Sequence, residues 1–233
     1  MIRSIIAIIY SMFWCGLAVV TLFIFPKSTE FVLLKYAKQF WSTPMLRWII
    51  GAKIEVQISK KTQDLFDSKQ GAILMANHSS SLDITACFVS CPTPIVFLAK
   101  ASIRKIPFLG GANARAGTVF VERGNKESTL KAINQLVNTV KGGRSVVVYP
   151  EGTRSKKGEL LQFKKGGFHL AVQAESPIIP VHISGTFKRL PPGSFSIKKF
   201  NDPIVVKYGD PIISNDVIEL RDLTYNAVCK LRG

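Results

Sequence analysis

The chain has little with which to hold a metal. Its three histidines, His78, His169 and His182, are scattered, and its four cysteines, Cys15, Cys87, Cys91 and Cys229, form no C-x-x-C pair. No zinc site, catalytic metal or disulfide framework is expected, and a reducing compartment fits best. There is also no G-x-S-x-G elbow, which argues against a serine hydrolase, and no aromatic-basic motif of the RNA-binding kind, so no nucleic-acid partner is expected. Internal repeats and low-complexity tracts are absent. Acidic residues are scarce: 15 Asp and Glu stand against 31 Lys and Arg, a net charge of +16 over 233 residues. Such an excess favours anionic lipid surfaces, acidic substrates or nucleic acid by long-range attraction and does not by itself choose among them.

Charge is missing altogether from residues 4–25. As a helix this run would reach about 33 Å, close to the thickness of a bilayer core. No small-x-small cleavage site follows it, so it reads as a retained anchor and not as a signal peptide. After the break at Pro26, a second apolar segment from Phe31 to Ile50 groups Lys35, Lys38, Gln39 and Ser42 on one helical face, the pattern of an interfacial helix. Either the first helix spans the membrane and the second lies flat, or the two form a hairpin dipping into one leaflet. A buried helical pair in a soluble protein is the alternative. Lys27, Lys35, Lys38 and Arg47 follow the first segment and place the main domain on the cytoplasmic face, a bacterial inner membrane being the expected setting. The chain thus divides into an N-terminal two-helix membrane-anchoring motif, residues 1–50, and a single domain, residues 51–233.

From Lys53 onward, short β-favouring runs alternate with helical stretches. Strands are expected over Lys53–Ile58, Ala72–Ala76, Ile95–Ala99, Thr118–Val121, Ser145–Tyr149 and Ile178–Ile183. The clearest helix is Lys126–Lys141, where Leu130, Ile133, Leu136, Val137 and Val140 make an apolar stripe ending at Gly142-Gly143. This alternation predicts an α/β fold: a largely parallel mixed sheet covered by helices on both faces, with sites at the carboxyl ends of the strands.

Two polar runs fall at such ends. Asn77-His78-Ser79-Ser80-Ser81-Leu82-Asp83 offers a base and a carboxylate, with Asp83 on the first turn of a helix entered near Ser80 or Ser81. Asp83 can there reach back to one imidazole nitrogen and leave the other to take a proton. The same spacing is a variant of the helix-capping box, with His78 an ordinary loop residue. Tyr149-Pro150-Glu151-Gly152-Thr153-Arg154-Ser155 offers a glycine for close backbone approach and a guanidinium that can fork onto phosphate oxygens, with Lys156, Lys157, Lys164 and Lys165 nearby. Its bland alternative is a surface loop in which Glu151 and Arg154 pair with each other.

In this order the runs resemble the glycerolipid acyltransferase family. The resemblance is carried by N-H-x-x-x-x-D at Asn77 to Asp83, F-[IV]-[DE]-R at Phe120 to Arg123, F-P-E-G-T-R-S at Tyr149 to Ser155 with Tyr in place of the first Phe, and V-I-P-V at Ile178 to Val181. It covers about half the chain, from Ala72 to Ile183, including Lys100 to Gly110. It implies transfer of an acyl chain from acyl-CoA or acyl carrier protein to the sn-2 hydroxyl of the membrane lipid lysophosphatidic acid, giving phosphatidic acid, with no cofactor and no acyl-enzyme. Glycerol 3-phosphate or another lysolipid is the alternative acceptor. His78 would be the general base, oriented by Asp83. Arg154, Arg123 and Lys100 would bind the acceptor phosphate in a pocket shaped by Glu151 and Gly152, with Asn77, Thr153 and Pro180 in support. From Gly185 onward no motif is recognisable.

Overall fold

In a computed structural model, residues 2–122 and 124–233 are described. Seven strands form one sheet, in the spatial order β1 (Ile54–Ile58), β7 (Ile204–Tyr208), β6 (Ile178–Ser184), β2 (Ile73–Ala76), β5 (Ser145–Val148), β3 (Ile95–Lys100) and β4 (Val119–Val121). The run from β6 to β4 is all parallel, whereas β7 is antiparallel to β6 and carries β1 parallel to itself. The expected largely parallel, mixed sheet is therefore present. Its mixed character comes from β7, which lies beyond the strands read from the sequence. Every residue of β2 and β5 is buried, as suits central strands covered on both faces.

Helices pack in two groups. α4 (Leu82–Ser90) joins the N-terminal helices, while α6 (Lys126–Lys141), α7 (Gly166–Ala174) and α9 (Val217–Arg232) pack together. α6 has the bounds that its apolar stripe predicts. Asn125 caps it by accepting from the Ser128 amide at 3.0 Å, and Leu136, one residue of that stripe, is fully buried.

α1 spans Ile2–Ile24 and is, among the described residues, the one helix long and apolar enough to cross a membrane. The second segment, α2, runs through Thr29–Phe31, Val32–Ser42 and Met45–Ile50, and the latter two stretches are wound with the wide hydrogen bonding of a π-helix. It stops at Gly51, whose φ of +72° lets the chain reverse while the Ala52 amide reaches back to the Leu46 carbonyl at 2.9 Å. Arg3 at the head of α1 donates to the Ile50 carbonyl at the tail of α2 (3.4 Å), so the pair is an antiparallel hairpin. Trp14 stacks on Phe40 with ring centroids 5.4 Å apart, and Trp41 donates to Ser11 Oγ at 3.1 Å.

The hairpin is seated on the domain. Lys38 Nζ donates to the Cys91 carbonyl at 2.8 Å, Trp41 meets Phe88 edge-on, and α1 lies along α5 (Leu109–Ala116). Two of the four polar residues expected to face solvent from α2 instead turn inward, since Lys38 finds that carbonyl and Ser42 is fully buried. Leu22, Leu33, Leu46 and Ile50 are buried in the same seam, while Ile2, Ile5, Ile9, Phe13, Phe23, Phe31, Phe40 and Trp48 are exposed.

Because those four apolar side chains each contribute about 1.5–3 kcal/mol by burial, removal of residues 1–50 is expected to uncover the domain and not merely to release it. In thermal unfolding in mild detergent, the truncated chain should melt well below the full chain, and it should aggregate once detergent is removed. A truncated chain that stays monomeric with an unchanged Tm would refute this.

Candidate active site

The two polar runs meet at the carboxyl ends of the neighbouring strands β2 and β5. β2 is followed by α4, which leads to β3, whereas β5 leads through α7 to β6 on the other side of β2, so the two loops diverge over a switch point. Asn77, the first residue past β2, uses its side-chain amide as an extra rung of the sheet: Nδ2 donates to the Ile183 carbonyl (2.9 Å) and Oδ1 accepts from the Ile183 amide (2.7 Å). That fixes where the chain leaves the sheet and hence where His78 begins.

Asp83 is fully buried on the first turn of α4, and its Oδ2 accepts from His78 Nδ1 at 2.8 Å and from the amides of Ser79 (2.8 Å) and Ser80 (2.9 Å). The capping geometry and the dyad geometry thus coexist, since one oxygen serves both. A carboxylate at Nδ1 favours the tautomer with its proton there, leaving Nε2 as the acceptor. The imidazole stacks on the Tyr149 ring, with centroids 3.9 Å apart and planes 13° apart. Tyr149 has its hydroxyl 3.8 Å from Cys87 Sγ, and burial holds that phenol well above its ordinary pKa, so it stays neutral.

The second loop clamps the first. Glu151, only 2% exposed, accepts from the His78 amide through Oε1 (2.6 Å) and from the Leu161 amide through Oε2 (3.1 Å). The Ser155 amide donates to the His78 carbonyl at 2.8 Å. Both backbone polar groups of His78 are therefore held by the E-G-T-R loop. The resemblance put Glu151 in the acceptor pocket; the structure puts it behind His78, with both oxygens taken by backbone amides. Arg154 does not pair with it. It is exposed and donates to Ser81 Oγ at 2.7 Å, bridging the two loops at their open side. Gly152 has φ +71°, and a Cβ there would meet the Lys164 side chain at 3.2 Å, so a second cation lies along the same loop.

Thr153 is exposed on this loop. Lys100, also exposed, closes β3 at the same end of the sheet, one strand beyond β5 and in register with Val121. Arg123 lies outside the described residues. Pro180 is buried within β6, opposite Met75, with its carbonyl accepting from the Gly209 amide, and so sits in the core below the site. No motif marks the residues that form the floor under the loop. Ser79 Oγ is 3.5 Å from the Oγ1 of fully buried Thr186, and Ser80 Oγ donates to the Leu190 carbonyl at 2.7 Å. Tyr149 had a legible signal, being the aromatic residue directly before Pro150-Glu151-Gly152.

A histidine–aspartate pair and a bridging guanidinium, set on diverging loops of a mostly parallel sheet, define an α/β enzyme scaffold. The Acyltransferase family model matches residues 53–184, more than half of the chain, and the chain belongs to that family. Curated relatives named 1-acyl-sn-glycerol-3-phosphate acyltransferase include one from Limnanthes douglasii, 34% identical over 170 residues (72% of this chain, 58% of the relative). Another, from Escherichia coli K12, is 33% identical over 189 residues (81% and 74%). The chain thus spans little more than half the length of the plant relative. The crystal structure of the 1-acyl-sn-glycerophosphate (LPA) acyltransferase PlsC from Thermotoga maritima superposes with a TM-score of 0.77 at 25% identity, covering 99% of this chain and 93% of that one.

Burial pushes the Glu151 carboxyl up to about 7, against the pull of its two amide donors. The folded state therefore keeps a proton that the unfolded chain has already released. This contribution to stability is full below the ordinary carboxyl range and is lost as pH rises through about 7. Glu151→Gln cannot accept from both amides and should cost about 1–3 kcal/mol in urea unfolding. Since glutamine does not titrate, the advantage of the wild type over this variant should narrow as pH rises from 5 to 7. A gap that widens would contradict the assignment.

Proposed function

We propose that this protein transfers an acyl chain from an acyl thioester, acyl-CoA or acyl-ACP, to the sn-2 hydroxyl of 1-acyl-sn-glycerol-3-phosphate, yielding phosphatidic acid for phospholipid synthesis. The observation that carries the reading is the 2.8 Å hydrogen bond that His78 Nδ1 donates to Asp83, which leaves Nε2 as the acceptor on an imidazole still 16% exposed. Nε2 accepts the proton of the acceptor hydroxyl as that oxygen attacks the thioester carbonyl. The tetrahedral intermediate collapses with cleavage of the C–S bond, and the imidazolium returns its proton to the departing thiolate. Asp83 stabilises the imidazolium in between.

Direct transfer is favoured over an acyl-enzyme because, among the described residues, no serine hydroxyl is hydrogen-bonded to the His78 imidazole, whose side-chain partner is Asp83, while Ser79 lies beside Thr186 and Ser80 donates to the Leu190 carbonyl. Arg154 is the group best placed for the acceptor phosphate, exchanging its Ser81 contact for a forked pair of hydrogen bonds, with Lys164 and Lys100 adding charge. The exposed apolar face of the α1–α2 hairpin rests in the cytoplasmic leaflet. The acceptor chain then need not enter water, which would cost about 0.8 kcal/mol per methylene.

The purified protein is expected to release thiol from acyl-CoA or acyl-ACP only when lysophosphatidic acid is supplied; release without acceptor would make it a hydrolase. His78→Ala should lower turnover at least ~10²-fold with little change in Tm, and near-normal turnover would remove the base.

Arg154→Lys tests the phosphate role separately. It keeps the charge but not the planar fork, and should lose on the order of 1.5–3 kcal/mol in kcat/KM on lysophosphatidic acid. It should act almost normally on the dephosphorylated monoacylglycerol. Equal loss on both substrates would move Arg154 to a structural role.

A further inference from the structure

The stretch after β6, silent in sequence, becomes a braced loop between the site and the N-terminal hairpin. α8 (Thr186–Arg189) ends in an arginine that is fully buried. Its guanidinium donates to the carbonyls of Gly185 (2.7 Å), Phe200 (2.9 Å) and Asp202, and the Lys198 amide donates back to the Arg189 carbonyl (2.9 Å). Taking a guanidinium out of water is costly unless its donors are used, so these bonds pin together the two ends of the loop Leu190–Phe200. Two more bonds fix its neighbours. The Leu190 carbonyl accepts from Ser80 Oγ beside the His78–Asp83 pair (2.7 Å), and the buried Ile197 donates its amide to Ser4 Oγ in the first turn of α1 (3.2 Å).

On this braced loop Phe195 stands 84% exposed, Lys198 and Lys199 are exposed, and Phe200 is partly so. A phenylalanine held out in water by a well-tied loop gains nothing for the fold. Phe195 is two residues from the tie to α1, whose first turns expose Ile2, Ile5, Ile6 and Ile9. The apolar face of the hairpin therefore continues onto the loop, with two cations at its margin.

We propose that Phe195, Lys198 and Lys199 form a second membrane contact for anionic lipid. Phe195 inserts among acyl chains beside the head of α1, and the two lysines take headgroup phosphates. An anionic bilayer surface supplies an apolar layer and negative charge at the separation these side chains span. The contact rests on the membrane reading given above and deepens it, since the same loop braces Ser80 and so places the lipid surface next to the dyad.

The test is flotation of the full-length protein across a series of lipid concentrations, with vesicles of phosphatidylcholine alone and of phosphatidylcholine with phosphatidylglycerol. Phe195→Ser should weaken partitioning onto both. Lys198→Glu combined with Lys199→Glu should weaken it at least ~10-fold on the phosphatidylglycerol vesicles alone, given ~1 kcal/mol per basic residue at such a surface. Neither variant should change turnover of a short-chain, water-soluble acceptor. Equal partitioning of wild type and variants at every lipid concentration overturns the proposal, and so does a matching loss on the soluble acceptor, which would place the loop in the active site instead. As an independent measurement, Phe195→Cys in a Cys229→Ser background, labelled with an environment-sensitive dye, should shift to the blue on phosphatidylglycerol vesicles. An unshifted spectrum with the protein bound overturns the contact while leaving the hairpin as anchor. Failure of the wild type to bind any vesicle would instead take down the membrane reading itself.

Discussion

The candidate site depends on one buried carboxyl group that turns away from the open side of its loops. Glu151 accepts from the His78 amide with one oxygen and from the Leu161 amide with the other, tying the loop after β2 to the loop after β5. Without it the backbone of His78 would have an unsatisfied buried donor, and the imidazole would lose its fixed position relative to Arg154. Asp83 does the same for the side chain: one oxygen orients the ring and also collects the two amides that start α4. The placement of His78 is thus built from backbone hydrogen bonds to two acids. Tyr149 supplies the remaining restraint by closing one face of the imidazole.

The sheet makes this possible. β2 is flanked by β5 and β6, both parallel to it, so three strand ends converge where the loops part. Asn77 extends the β2–β6 pairing by one side-chain rung, and Thr186 and Leu190 beyond β6 support Ser79 and Ser80 from below. Residues more than a hundred positions apart are thereby fixed to within hydrogen-bond distances. The hairpin belongs to the same construction: through Lys38, Trp41 and α5 its inner side is part of the core, and its outer side is left apolar. A hairpin seated in this way holds the mouth of the site at a set height relative to whatever surface receives that outer side.

Much of the architecture was legible from local pattern. Period, turn residues and caps gave six of the seven strands to within a residue or two and α6 to the residue, because central strands and amphipathic helices must show their burial in the sequence itself. The motif residues were legible too, and so was the pairing of His78 with Asp83, since a five-residue separation across a helix start is a local relation. β7 escaped, although Ile204, Val205 and Val206 are β-branched behind Asp202-Pro203, and with it went the antiparallel pairing of the sheet. The partner of a strand is chosen by the whole fold and leaves no mark in its own residues.

What the sequence alone determined, then, is the set of chemical groups and their local spacing: a base with its carboxylate, a guanidinium behind a flexible glycine, a basic chain headed by an uncharged apolar run. Which groups point to the open side of the site and which hold others in place was decided only in the tertiary structure. Glu151 and Arg154 sit three residues apart and read equally well as an ion pair or as two pocket residues, yet one turns inward to backbone amides and the other outward to Ser81. Lys38 likewise carries the signature of a solvent-facing charge and instead finds the carbonyl of Cys91. A polar side chain goes where its hydrogen-bonding capacity can be met. In a folded chain those partners come from segments distant in sequence, so the assignment exists only once the segments have been brought together.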